Sequence, residues 1–104
     1  MIITTTETVA GKDIGEIKGI ARGSTVRTRN VGRDFLAGLK NIVGGEIKGY
    51  TKLMADSRES AIERMKEDAK GLGADAVVNV RFSTSTVMQG AAEIMAYGTA
   101  VKLK

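Results

Sequence analysis

Residues 45–73, GEIKGYTKLMADSRESAIERMKEDAKGLG, carry the long helical signature of a 104-residue chain, and the fold follows from what can pack on it. Ile47, Tyr50, Met54, Ser57, Ala61, Met65, Ala69 and Leu72 recur every three or four positions, and Leu53 and Ile62 widen the stripe. One face is therefore built for burial. Opposite it lie Lys52, Asp56, Glu59, Glu63, Lys66, Glu67 and Lys70. Their mixed signs, with Glu63 and Lys66, and Glu67 and Lys70, at three-residue spacing, describe a solvated face. Lys70, Gly71 and Gly73 supply the stop, because a glycine past the last turn takes the left-handed conformation that satisfies the final carbonyls. The start has competing signals. Asp56 or Ser57 fits a cap and Ser60 to Glu63 a capping box. Tyr50, Leu53 and Met54 nonetheless keep phase with Ala61 and Met65, which favours a start at Glu46 and a rod of about 40 Å at ~1.5 Å per residue.

The flanking segments read as strands. Ile2 to Thr8 is short and β-branched, a strand or pairing arm, and Gly11, Lys12 and Asp13 form a turn. Glu16 to Arg29 is strand-like with imperfect alternation, and Gly19 and Gly23 within it predict a bulge or a close backbone approach. Asn30 or Gly32 caps a short helix from about Arg33 to Ile42, ended by Gly44 and Gly45. In Asp75 to Phe82, Ala76, Val78, Val80 and Phe82 alternate with Val77, Asn79, Arg81 and Ser83, which predicts a strand with the first set buried. Gln89 and Gly90 turn that strand into a partner running from Glu93 to Lys104. Met95, Tyr97, Val101 and Leu103 make its apolar face, and Ala96, Gly98 and Ala100 are small enough to admit a close neighbour.

Strands at both ends with helices between them predict a single α+β domain over 1–104, an antiparallel sheet covered on one face by the long helix. A three-stranded sheet leaves two unpaired edges and a second face, and oligomerisation supplies their cover. With no cysteine and no histidine, the chain offers no disulfide, thiolate nucleophile, imidazole base or soft-metal ligand of the usual kind. No catalytic set emerges, so the expectation is a non-enzyme, and no cofactor is identified. The threonine-rich start and the lack of an ~18-residue apolar run predict a cytoplasmic protein without a membrane span.

The stretches TTTETVAGK, GIARGSTVRTRNVGRD, LKNIVGGEIKGYTKLM, ADSRESAIERM, LGADAVVNVRF and AAEIMAYGTAVKL together resemble the YbjQ family over the whole chain. These are small bacterial and archaeal proteins of unestablished function that carry a heavy-metal-binding label. The resemblance implies a dodecin-subunit-like β-α-β-β fold, assembled as a homopentamer with short strands exchanged between neighbours. It implies no catalytic residues. The only soft donors are the thioethers of Met1, Met54, Met65, Met88 and Met95, and Met54 and Met65 lie on the apolar stripe, where packing is their role.

The distinctive polar stretch is Arg22 to Lys40, with Arg22, Arg27, Arg29, Arg33 and Lys40 against the single acid Asp34. Arg27, Arg29, Asn30, Arg33 and Lys40, beside a glycine-rich segment and a helix start, are candidate ligands for a small anion, because free amides and guanidinium forks suit phosphate or carboxylate. The bland reading is a solubilising surface, or arginines paired with a neighbouring subunit's carboxylates. Glu46, Tyr50 and Thr51 crowd the glycine joint that follows and add Tyr50 to the candidate pocket between subunits. Nucleic acid is disfavoured, because the stretch lacks an aromatic platform apart from Phe35, which keeps helical phase, and the net charge is only +4. Gly71 to Ala76 mimics a dinucleotide fingerprint in the wrong order, helix before strand. Asp56, Glu59, Glu63 and Glu67 are read as solvated, with a metal or metal-sensing module using oxygen ligands as the alternative function.

Overall fold

A computed structural model of the chain describes residues 1–27, 46–88 and 91–104. Strands β1 (Ile2–Ile3) and β2 (Ile14–Arg27) precede helix α1 (Glu46–Gly71), which is followed by β3 (Ala76–Met88) and β4 (Ala91–Leu103). The sheet order is β1-β3-β4-β2. β4 pairs antiparallel with both β2 and β3, and β1 adds a short parallel strand to β3. The result is α+β: a four-stranded mixed sheet against one helix among the described residues. The short helix expected from Arg33 to Ile42 lies outside them.

The helix begins at Glu46, as the phase of its apolar stripe requires, and runs 26 residues. Ser57, Ala61, Met65 and Ala69 are fully buried. Three small side chains in that row let the helix axis approach the sheet closely, and Gly23 of β2 completes the approach. A Cβ at Gly23 would stand 2.6 Å from the Ala61 carbonyl oxygen and closer still to the Met65 amide nitrogen. Thr25 Oγ1 donates to the Ser57 carbonyl at 3.2 Å, so α1 lies along β2 and runs against it. Its C-terminus is closed by paired backbone bonds, Ala74 N to Ala69 O at 3.1 Å and Gly73 N to Lys70 O at 3.0 Å. Gly73 sits at φ +81. That left-handed residue is the cap the sequence predicts.

Irregularities decide which side chains meet the helix. Pairing of β2 with β4 shifts between Ile17 and Gly19, and Gly19 takes φ +132, so one of the paired glycines makes the bulge and the other the close approach. A second shift falls between Val78 and Arg81 of β3, where Asn79 has φ 55, a conformation asparagine tolerates better than most residues. The expected burial of Ala76, Val78, Val80 and Phe82 on one face is corrected by that bulge. Val77 and Val80 join Ile94, Ala96, Ala100 and Ala21 beneath the helix. Ala76, Val78 and Val101 form a second cluster on the opposite face, packed by Val9, Ile14 and Leu103. In β4, accordingly, the small even positions are the helix-facing ones. The odd position Tyr97 remains 37% exposed.

Both sheet edges, expected to be bare, are covered in part. Along the outer edge of β2, Asp68 Oδ2 accepts the Arg22 N–H at 3.0 Å and Arg64 Nη1 donates to the Ser24 carbonyl. Helix side chains thus occupy backbone groups that another strand would otherwise take. At the base of β3, β1 and the residues after it hold the edge, with Val80 N donating to Thr4 O and Asn79 N to Thr6 O, each at 3.0 Å. Beyond Arg81 no described strand lies outside β3, and residues 81–86 are all exposed. The molecule measures 54 × 26 × 17 Å with a radius of gyration of 16.8 Å, against about 13 Å for a compact chain of this length.

Candidate functional site

Of the residues singled out for anion binding, Arg29, Asn30, Arg33 and Lys40 lie outside the described residues. Arg27 closes β2, where its backbone pairs with Ala92 of β4. Tyr50 is in the second turn of α1. Because α1 runs against β2 with Ser57 beside Thr25, the backbones of Tyr50 and Arg27 occupy the same end of the molecule, the end where the β3–β4 hairpin projects. The carboxylates Asp56, Glu59, Glu63 and Glu67 are exposed, as their spacing predicts. Glu63 pairs with Lys66 at 3.3 Å.

At the opposite end, Asp75 ties the end of β4 to the start of β3. Its Oδ2 accepts the Leu103 N–H at 2.9 Å and its Oδ1 meets Lys102 Nζ at 3.4 Å. The Leu103 N–H holds the Asp75 pKa below the ordinary aspartate value, against an opposing desolvation and with help from the charges of Lys102 and Lys12. Nearby, the threonine-rich start folds onto itself. Thr4 Oγ1 and Thr6 Oγ1 share a hydrogen bond of 2.7 Å and Thr6 Oγ1 donates to the Thr8 carbonyl at 2.6 Å. Arg81 Nη1 donates to the carbonyls of Thr5 at 3.0 Å and Val80 at 2.8 Å, clamping this segment to β3.

The sheet assembles a polar row that sequence spacing did not reveal. Tyr97 of β4 is the cross-strand partner of Arg22 on one side and of Arg81 on the other. All three are exposed, on the face away from the helix. The next row holds Ser24, Met95 and Ser83, and the preceding one Ile20, Thr99 and Val78. Ile20 is 70% exposed, as is Ile17. Neither arginine is in an ion pair among the described residues.

No group of three or more His, Cys, Asp or Glu side chains among the described residues is placed to hold a metal ion. No described helix is long and apolar enough to cross a membrane. A family model described as "Putative heavy-metal-binding" matches residues 1–104. The chain belongs to the YbjQ family. It is 62% identical to a "UPF0145 protein" of Archaeoglobus fulgidus over 100% of this chain and 96% of that one. It is 58% identical to a "UPF0145 protein" of Vibrio campbellii over 99% of each. Among solved structures it resembles a protein of unknown function of the DUF74 family from Pediococcus pentosaceus. That match has a TM-score of 0.66 and 18% identity, and covers 100% of this chain and 98% of that one, so it shows the shared fold. The donor set does not fit the YbjQ label. Heavy metals select thiolate and imidazole, which this chain lacks, and the Met65 thioether is sealed in the core.

Proposed function

We propose that this YbjQ-family protein is a non-enzymatic, self-assembling module of the cytoplasm, a homopentamer whose subunit interfaces bind a small anion near Arg27, Arg29 and Arg33. The observation that carries assembly is the outer edge of β3 beyond Arg81, a run of paired-ready backbone with no described strand beside it. Such an edge is a template for another chain. Phe82, 44% exposed where the helix does not reach, adds an apolar contact. The backbones of Arg27 and the first turns of α1 lie at that same end, which supports a ligand site there, since a basic stretch at an interface of like subunits would need a counter-charge. Thermal shift with inorganic phosphate tests the site. The stabilisation expected in the parent is lost in Arg27→Ala and Arg33→Ala, and its full retention in both variants removes the assignment.

The competing reading is a metal module using oxygen donors, and the family's label favours it. Equilibrium dialysis against zinc, copper, nickel, magnesium and calcium decides. A stoichiometric bound ion would replace the anion reading, and none bound across all five disposes of the metal.

A further inference from the structure

We infer that the open face of the sheet is a nucleotide-binding platform, with a base stacked on Tyr97 and its phosphate held by Arg22. This site is separate from the interface at Arg27 and stands without it. The sequence counted against nucleic acid because the cationic stretch contains no aromatic platform apart from Phe35, which keeps helical phase, and because the net charge is only +4. The fold supplies such a platform from the other end of the chain, since β4 lies beside β2 and brings Tyr97 opposite Arg22. Directly opposed residues on one face have Cβ atoms about 5 Å apart, within reach of a base on the ring and a phosphate on the Arg22 flank.

Charge points the same way. The row and the rows on both sides of it contain no carboxylate, and the first acid along this face is Glu93, opposite Val26 and Ser85. Arg81 is held towards the outer edge of β3, its Nη1 donating to the Thr5 and Val80 carbonyls, which leaves Arg22 as the cation beside the ring. Ser24 and Ser83 offer hydroxyls in the next row. Ile20 offers apolar surface beside the ring. Stacking on an exposed aromatic beside a cation is tolerant of base identity, so the ligand class is a base carrying a phosphate, as a free nucleotide or as a unit of a single strand. A net charge of +4 favours the free nucleotide, because holding a strand usually takes many phosphate contacts.

The chain has no tryptophan and two tyrosines, so a Tyr50→Phe background reports on Tyr97 alone. Titrating it with adenosine monophosphate should quench tyrosine emission saturably. By calorimetry in the parent protein, Tyr97→Leu and Arg22→Gln should each weaken adenosine monophosphate binding about tenfold, and Tyr97→Phe should hold it within about threefold, since the stacking face is kept. In the Tyr50→Phe background, Arg27→Ala should leave the saturable quench of Tyr97 unchanged, because that readout sees only this site, whatever phosphate the interface holds. A thymidine oligonucleotide that binds more tightly per nucleotide, with steep salt dependence, assigns the same row to a strand. The proposal is overturned if neither nucleotide nor oligonucleotide binds. Equally, it fails if inorganic phosphate binds as well as the nucleotide in an Arg27→Ala background, where the interfacial anion site is removed, or if Tyr97→Leu and Arg22→Gln bind like the parent.

Discussion

The two ends of the sheet are built differently. At the base, α1 covers one face, the segment around Val9 covers the other, β1 guards the β3 edge and Asp75 ties β4 to β3. Towards the hairpin end, β3 beyond Arg81 is paired on one side only, and its residues 81–86 are exposed. The base has buried aliphatic clusters on both faces of the sheet, although Ile17 stays exposed beside them. The far end is sheet without a neighbour. The difference teaches that this chain concentrates its buried apolar side chains in one region and leaves the other with exposed strand.

Gly23→Val should break the base most severely. The added side chain collides with helix backbone at Ala61 and Met65, which cannot rotate away, so a loss of about 3 kcal/mol or more is expected in urea unfolding, at the upper end for overpacking. A change below ~1 kcal/mol would mean that α1 does not sit on β2 as described. Phe82→Asp probes the other end. It should leave the base folded by circular dichroism while lowering the native mass, because its ring lies where the helix gives no cover. Asp68→Ala should cost about 1 kcal/mol by removing the acceptor of the Arg22 N–H, and should raise the tendency to aggregate through the uncapped β2 edge.

The smallest effect concerns acid. Asp75 has a folded pKa below its unfolded value, so its contribution is present above the unfolded pKa and is lost as pH falls through the folded one. Thermal unfolding between about pH 5 and 2 should therefore steepen below about pH 4 in the parent and do so less in Asp75→Asn. Equal slopes in the two proteins would show that the clip to Leu103 and Lys102 is not what loosens.

Much of the base was legible in the sequence because its signals are periodic. The stripe through Ala61, Met65 and Ala69 gave the helix and its buried row, and Gly71 to Gly73 gave its end. Gly19 and Gly23 announced a bulge and a close approach without saying which was which. What stayed hidden depends on single-residue shifts. Counting outward from a turn at Gln89-Gly90 sets Arg81 opposite Gly98, and the irregularity between Thr86 and Met88 moves it to Tyr97. That step creates the Arg22, Tyr97, Arg81 row. The bulge at Asn79 likewise exchanged the faces of Val77 and Val78, since one extra residue reverses a period of two. Arg64 and Asp68 went unremarked because they flank the apolar stripe, where side chains reach a strand edge and neither core nor solvent. The anion-site residues from Arg29 to Lys40 were read from a cluster of cations beside a glycine-rich segment and an expected helix start, and they lie outside the described residues.

Native mass spectrometry at micromolar concentration tests most directly whether another copy completes the hairpin end. For an 11.0 kDa chain the account predicts a species of five times that mass, about 55 kDa, held by closed cyclic symmetry. A folded species that stays at 11.0 kDa across the concentration range would contradict it.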